Sequence, residues 1–450
     1  MVDNARGWTS LEMANRVYSK FVSPLTGIVN SLYNQLHETD DIPGFAVGAR
    51  ACDGDELVGA PVNELNGGGA TNYLHAKVAA IGETIERYCG AYAPSDLFTV
   101  CDGASHGVEF IYDWHLFHDR QYSEPDFPFA RIRPTTELLW TRAQDLLDGG
   151  RVAVPADLVY LRPLGPPEST VAYATSNGLA CGLSEFEALS SAIFELFERH
   201  AFVLTWHAFL QPPRIDAERL FRDSDFWTRH VLLTGLEVRL FAMSDLLGVP
   251  SVLAVVLNRR TTSAPISFGA ASATSIRRAA EKAVVEAFQT RVWIKAEQRL
   301  GNSIPFSSDW NDTIRGFDDH VRLYSSTNVE PLWSAIDFLT CVDRFDEDPR
   351  RYDFPQGMSP DSVVAELLSI ARRNGLEMYE VDVTTPDVRD EGVSVVKVLS
   401  PQLAQLDASY VGRFLGCPSL YGPLPWSGGL QRDFDDLNPV PTLSHERNWR

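Results

Sequence analysis

The sequence lacks the features that mark several common protein classes. No apolar run approaches roughly 18 residues, so no transmembrane helix is predicted. No basic run is present and the net charge is −21, so neither nucleic acid nor a membrane surface is an expected partner. The N-terminal stretch MVDNARGWTSLEMANR has no apolar core of a signal peptide. A cytoplasmic protein is therefore predicted.

Cysteine is sparse and irregularly spaced. The chain has six cysteines, with no CxxC pair and no histidine-rich segment beside them. This usage is typical of reduced thiols and argues against a disulfide framework or a zinc site. Cys89 and Cys181 stand near the acidic helices described below, and both are interpreted as small buried side chains rather than nucleophiles.

Several well-known catalytic and nucleotide motifs are also missing. NGGGAT is not a Walker A sequence, and there is no GxSxG, HExxH or GxGxxG before a helix. His75, His200, His207 and His320 are isolated in the sequence. Each is interpreted as structural rather than catalytic.

The most informative stretch runs from Thr175 to Trp206. A loop around Gly178 and Gly182 leads into a long helical pattern, in which Ser184 and Glu187 are placed to form a capping box. At roughly 100° per residue, one face within about 80° of Glu187 is polar. It carries Ser191, Glu195 and Glu198. Like charges at this spacing repel by roughly 0.2–0.5 kcal/mol, so the stripe is expected to face something cationic.

The same pattern occurs twice more, in HAKVAAIGETIERY and AAEKAVVEAFQ. In the first copy, Glu83 and Glu86 match the glutamates at 195 and 198. In the other copy Glu286 keeps the first glutamate, and Gln289 replaces the second. Three acidic helices of one design indicate a repeated unit, and they could converge on one site.

Length and element order indicate the fold class. The chain has 450 residues, 44% hydrophobic and 22% charged, which are ordinary values for a globular protein of one to three domains. Strand-like and helix-like segments intermix throughout. The predicted class is α+β, with antiparallel or mixed sheets and the three acidic helices around one site.

The carboxylates of the repeats suit a hard cation such as Mg²⁺ shared with phosphate oxygens. The relevant side chains are Glu83, Glu86, Glu187, Glu195, Glu198, Glu281 and Glu286. Arg199 and Arg277 could pair with the phosphates. The plainer alternative is that arginines four residues away form ordinary helix salt bridges. Repetition of the pattern favours a nucleotide–metal site.

These motifs resemble the YcaO family. The resemblance rests on the two ExxER helices, on the RxxxE spacing of Arg277 and Glu281, and on the segment from Val381 to Leu403. That segment and SPLTGIV near the N-terminus are similar to the thiazole/oxazole-forming cyclodehydratase D-protein subgroup.

The resemblance implies an enzyme that uses ATP and Mg²⁺. Metal-binding roles fall on Glu83, Glu86, Glu195 and Glu198, and nucleotide-binding roles on Glu187, Arg199, Arg277 and Glu281. The implied reaction is cyclodehydration of Cys, Ser or Thr to thiazoline or oxazoline in a ribosomally made precursor peptide. The implied partners are that peptide, a ThiF-type or leader-peptide-binding protein, and a second copy in a homodimer. The implied division is an N-terminal lead-in (1–60), the YcaO domain (61–430) and an active-site tail (431–450).

The sequence departs from the family pattern at three places. Gly68-Gly69-Ala70 replaces the usual GKG, and Ala79 replaces a serine before the first ExxER. The tail has Pro439 and Pro441, assigned here as catalytic-site candidates, but Leu443 stands where PxPxP would have its last proline. Two alternatives stay open: a YcaO enzyme that makes a thioamide or a macrocyclic amidine, and a non-catalytic scaffold subunit.

Overall fold

The computed structural model describes residues 7–42, 44–99, 107–307 and 309–442. The strands are β1 (Val29–Gln35), β2 (Phe45–Ala51), β3 (Leu65–Ala70), β4 (Glu109–Phe110), β5 (Trp140–Asp145), β6 (Arg151–Pro155), β7 (Leu179–Gly182), β8 (Glu237–Ala242), β9 (Ser251–Leu257), β10 (Ile266–Ser272), β11 (Tyr379–Asp382) and β12 (Ser394–Leu399). The helices are α1 (Leu11–Tyr18), α2 (Gly54–Leu57), α3 (Tyr73–Ala91), α4 (Asp119–Tyr122), α5 (Glu185–His207), α6 (Ala217–Leu220), α7 (Ile276–Leu300), α8 (Trp310–Thr313), α9 (Phe317–Tyr324), α10 (Glu330–Ala335), α11 (Asp337–Thr340), α12 (Pro360–Arg373) and α13 (Pro386–Asp390).

The strands form three sheets. Two are three-stranded and antiparallel, in the orders β1-β2-β3 and β10-β9-β8. The third has the order β4-β6-β5-β11-β12-β7 and is antiparallel except for the parallel pair β4–β6. The predicted α+β class with antiparallel and mixed sheets is confirmed. Within the described ranges, none of the helices combines the length and apolar character needed to cross a lipid bilayer.

Each of the three acidic helices follows a strand, as the units β3–α3, β7–α5 and β10–α7. Their N-caps are Asn72, Ser184 and Ser275, whose side chains accept backbone N–H groups of the first turn. The capping box predicted for α5 forms only in part. Ser184 Oγ accepts the N–H of Glu187 at 3.2 Å, but the Glu187 carboxylate accepts the N–H of Leu183 at 3.1 Å instead of turning back to the cap.

Glycine and alanine let these helices approach their strands closely. A Cβ added at Gly68 would overlap backbone atoms of α3, and one added at Gly269 would overlap backbone atoms of Ala283 and Ala287 in α7. The alanines on the facing helix sides, such as Ala80 and Ala283, are fully buried. The close approach brings helix side chains within reach of strand backbone N–H groups.

The strands β1 and β2, which precede position 60, contribute residues to the folded core. β1 and β2 complete the sheet that contains β3, so the predicted boundary between residues 60 and 61 falls within one sheet. The loop that joins β1 to β2 reaches α7. There Asp40 and Asp41 form ion pairs with Arg291 and Lys295.

Candidate active-site cleft

A cleft of about 700 Å³ lies where the three strand–helix units meet. Its charged lining contains more carboxylates than cations. Six glutamates line it: Glu83, Glu86, Glu195, Glu198, Glu281 and Glu286. Four cationic side chains line it as well: Arg87, Arg199, Arg278 and Lys282. The three acidic helices therefore do converge on one concave surface.

Strand backbone N–H groups hold four of these carboxylates. The Gly67 N–H donates to Glu83 at 2.7 Å and the Ala270 N–H donates to Glu286 at 3.2 Å. These two bonds span the same sequence separation of 16 residues, at equivalent places of two repeats. Glu86 and Glu198 accept N–H groups of Cys181 and Ser272, on the strand of the next repeat, at 3.1 and 3.2 Å. Helix α3 is thereby tied to its own strand and to β7, α5 is tied to β10, and α7 is tied to its own strand β10.

The arginines of the ExxER motifs lie beside their glutamates at ion-pair distance. The nitrogen–oxygen distances are 3.6 Å for Arg87–Glu83, 3.8 Å for Arg199–Glu195 and 3.7 Å for Arg199–Glu198. Charge-assisted hydrogen bonds are nearer 2.7–2.9 Å. The helix salt bridges of the plainer alternative are therefore present, with longer contacts than charge-assisted hydrogen bonds have, and they lie in the lining of the cleft.

Burial and crowding raise the pKa of three carboxylates. Removal from water raises the pKa of Glu86 to about 8, and the charges of Glu195 and Glu83 add to this against the opposing effect of Arg87. Desolvation likewise raises the pKa of Glu198 to about 8 and that of Glu286 to about 7. Without a bound cation the cleft therefore retains protons at neutral pH.

Two residues that were assigned nucleotide roles from the sequence do not line the cleft. The Glu187 carboxylate accepts the N–H groups of Thr9 at 2.5 Å and Leu183 at 3.1 Å, so it holds the N-terminal segment. Arg277 lines an adjoining cavity and lies 3.9 Å from Glu281. The other six assigned charged residues all line the cleft.

Sequence reasoning missed Arg278 and Lys282 as cleft residues. Both lie on the same face of α7 as Glu286, Arg278 eight residues and Lys282 four residues before it. Extending that helical phase toward the N-cap would have selected Arg278 in place of Arg277. His75, interpreted as structural, also lines the cleft, one turn before Ala79.

Comparison with known proteins decides the family. Residues 66–404 match the family described as YcaO cyclodehydratase, ATP- and Mg²⁺-binding. The chain belongs to the YcaO family. ATP and Mg²⁺, the family's cofactors, are accordingly its cofactors. An uncharacterised protein of Methanothermobacter thermautotrophicus is 28% identical over 378 residues, covering 77% of this chain and 84% of that protein.

Two solved heterocyclases share the YcaO fold of this chain. A heterocyclase in complex with substrate and cofactor superposes with a TM-score of 0.75 at 21% identity, over 97% of this chain and 57% of that one. The heterocyclase TruD superposes with a TM-score of 0.63 at 19% identity, over 96% of this chain and 54% of that one. This chain thus spans little more than half of either heterocyclase.

The oxygen-rich lining of the YcaO cleft fits Mg²⁺ bound together with phosphate. In the described part of the chain, no three His, Cys, Asp or Glu side chains stand close enough to hold a metal ion alone. Mg²⁺ usually takes one or two carboxylates and completes its shell with phosphate and water oxygens. The spread of the glutamates around the cleft suits such a shared site.

The C-terminal segment is anchored at the far end of α5. The Trp206 indole N–H donates to the Val440 carbonyl at 2.7 Å, and the Tyr324 hydroxyl donates to the Pro441 carbonyl at 3.1 Å. Pro439 is exposed and Pro441 is buried, and neither lines the cleft. Residues 443–450 lie outside the described residues, so the catalytic assignment of the two prolines stays a prediction.

Proposed function

We propose that this YcaO protein uses ATP to activate a backbone amide of a ribosomally made precursor peptide and cyclises Cys, Ser or Thr to thiazoline or oxazoline. The observation that supports this proposal is the cleft. There the three repeats of this YcaO-family chain bring together six glutamates and four cationic side chains. Such a surface is suited to a metal-bound triphosphate rather than to an apolar ligand.

In the proposed reaction the Sγ or Oγ atom attacks the preceding carbonyl carbon and gives up its proton. The carbonyl oxygen then takes the γ-phosphoryl group of ATP, and ADP is released. The C–O bond breaks with departure of phosphate, the amide nitrogen loses its proton, and a C=N bond forms in the ring that the attack of Sγ or Oγ has already closed. An amide oxygen is a poor leaving group and phosphate is a good one, so phosphorylation provides the driving force.

The proposed roles follow the cleft geometry. Glu83, Glu86, Glu195 and Glu198 would share Mg²⁺ with the phosphate oxygens, and the ion would neutralise phosphate charge. Arg199 would neutralise a phosphate from the same helix face. Arg277 and Glu281 would act at the cleft rim.

Two further elements are proposed to organise the site. Glu187 would order the N-terminal segment through the Thr9 N–H. Pro439 and Pro441 would direct the tail, because a fixed φ angle restricts the path of the chain.

The proposed partners are the precursor peptide and a ThiF-type or leader-peptide-binding protein. Both matched heterocyclase chains are longer than the part that this chain covers. A separate protein is proposed to supply leader recognition to this chain, and a homodimer is proposed from the family resemblance.

Calorimetric titration with ATP and Mg²⁺ tests the site. In the double variant Glu195→Gln/Glu198→Gln we expect the dissociation constant to rise about 100-fold, because both side chains lose the charge that holds the ion. The matched control is Glu366→Gln, at a half-buried glutamate on α12 that does not line the cleft. This variant should bind as wild type.

The alternatives give different outcomes. Equal affinity of the double variant and wild type would show that the acidic stripe is not the site. Absence of binding by wild type, even with a partner protein, would favour the scaffold. Mass spectrometry of a modified peptide then identifies the chemistry, since ring closure changes the mass by about −18 and oxygen-to-sulfur exchange by about +16. An amidine also loses water and needs fragmentation to locate the link.

A further inference from the structure

A second cavity of about 570 Å³ adjoins the active-site cleft. The two share Trp8, Thr274 and Arg278 in their linings, so they are continuous at that edge. The second cavity, called here the arginine cavity, is further lined by Arg277, Arg350 and the loop at 355–359. It therefore draws cationic side chains from two separate segments of the chain.

The lining of the arginine cavity has three arginines against two aspartates, Asp223 and Asp353. Arg277 lies 3.9 Å from Glu281, whereas within the described residues neither Arg278 nor Arg350 forms an ion pair, and Arg350 donates a long hydrogen bond of 3.4 Å to the Leu220 carbonyl. Asp353, one of the two acidic residues in the lining, already accepts the Ile276 N–H at 2.6 Å. In a protein of net charge −21, such a concave cationic surface is a local exception.

The positions of two of these arginines carry an energetic cost. Arg277 and Arg278 lie in the first turn of α7, which contains no acidic residue. A cation near a helix N-terminus is unfavourable by about 0.3–1 kcal/mol. A bound carboxylate would offset this cost, and the planar guanidinium is the side chain best shaped to hold one.

Hydrogen bonds fix the chain segment that forms the edge shared by the arginine cavity and the cleft. The Trp8 indole N–H donates to the Met358 carbonyl at 2.9 Å, and the next residue is held through the Thr9 N–H on Glu187 at 2.5 Å. Trp8 is 48% exposed and contributes an aromatic wall to both spaces. A chain that runs through the arginine cavity would reach the cleft beside this wall.

We propose that the arginine cavity binds an acidic stretch of the peptide substrate and delivers a neighbouring residue to the cleft. This inference rests on the proposed function. A peptide whose amide reacts in the cleft must continue into adjoining space on the surface, and the arginine cavity is continuous with the cleft. Its guanidinium groups select Asp or Glu side chains over neutral ones.

Fluorescence anisotropy on the full chain tests the proposal without any catalytic turnover. The probes are fluorescein-labelled tetraglutamate and tetraglutamine peptides, each followed by Gly-Cys-Gly. We expect the tetraglutamate probe to bind about tenfold more tightly, and Arg350→Gln to remove most of that difference. Arg350→Lys should retain part of it. Arg373→Gln, an exposed arginine on α12, is the matched control and should behave as wild type.

Three results would overturn the proposal. They are equal binding of the two probes, unchanged binding by Arg350→Gln, and displacement of the acidic probe by ATP with Mg²⁺, which would assign the cavity to the nucleotide. Failure of the proposed function has a different signature. In that case the acidic probe binds through Arg350 although the wild type shows no affinity for ATP and Mg²⁺.

Discussion

The raised pKa values of Glu86, Glu198 and Glu286 have a consequence for stability. In the unfolded chain a glutamate titrates near 4.5, whereas these titrate at about 7 to 8 in the folded state. Between those values the folded state binds more protons than the unfolded state. The stability of the metal-free protein is therefore expected to fall as pH rises from about 4.5 through 8.

Binding of ATP with Mg²⁺ should release protons and strengthen as pH rises toward 8. At pH 7 Glu86 and Glu198 are largely protonated, and an incoming divalent ion lowers their pKa, so about one proton or more should leave per ion bound. Calorimetry at pH 7 in two buffers of different ionisation enthalpy measures this number. Glu86→Gln should lower it. An identical heat in both buffers would contradict the prediction.

At the residue scale, helical phase selected most of the glutamates that line the cleft. It did not show how far along each helix the cleft extends. Glu187 lies on the same face of α5 as Glu195, yet it is two turns closer to the N-cap and binds Thr9 instead. The angular position of a side chain follows from local spacing. Whether that side chain reaches the cleft also depends on the segments packed beside it. The sequence alone therefore did not show that Glu187 lies outside the cleft.

At the element scale, each acidic helix is positioned by its contact with a glycine-containing strand. Gly269 allows α7 to approach β10 so closely that Ala283 and Ala287 backbone atoms occupy the place of a side chain. The same approach brings Glu286 to the Ala270 N–H at 3.2 Å. Packing of the strand therefore sets the position of the carboxylate.

Gly269→Ala is expected to destabilise the protein by about 1–3 kcal/mol, because the new methyl group must push apart backbone atoms that cannot rotate away. Urea unfolding followed by circular dichroism measures the loss. Gly150→Ala is the control, since an added Cβ there meets nothing within 4 Å. Similar stability of the two variants would show that the close helix–strand contact is not required.

Most long elements followed from the sequence, and short ones did not. The apolar run VPSVLAVVL predicts a strand, and β9 lies within it. The amphipathic pattern at 363–374 predicts a helix, and α12 begins three residues earlier and ends one residue earlier than that pattern. The segment TTPDVRDEG predicts a turn, but it contains α13, with Thr385 as N-cap and Pro386 at the first position. Proline after threonine is compatible with both a turn and a helix start, so the local signal was ambiguous.

At the scale of the whole molecule, a buried ion cluster joins the β1–β2 loop to α7. Lys295 Nζ lies 2.9 Å from Asp41 and 2.6 Å from Asp40, and Arg291 contacts both aspartates. The side chains of Arg291, Lys295 and Asp41 are all at most 3% exposed. The cluster connects the N-terminal strands to the helix that carries Glu286.

Asp41→Asn should lower the free energy of unfolding by about 3 kcal/mol, because it leaves buried cations short of one countercharge. Glu38→Gln serves as the control in the same cluster. Its side chain is 46% exposed, so its loss should cost about 1 kcal/mol or less. Chemical denaturation measures both. If the two variants lost equal stability, burial would not be what makes this cluster strong.

The sequence by itself determined the family of this protein, through the motifs that resemble YcaO. The three acidic helices and their faces follow from spacing within single segments, because helical periodicity is a local property. Only the tertiary structure decided which of these faces share a cleft, that the Glu187 carboxylate accepts the Thr9 N–H, and that Arg278 lines the cleft while Arg277 lines the adjoining cavity. It also formed the arginine cavity, whose residues come mainly from the start of α7, from the segment at 350–359 and from the segment at 7–8. Such convergence depends on strand register and close packing between segments hundreds of residues apart, which no local pattern encodes.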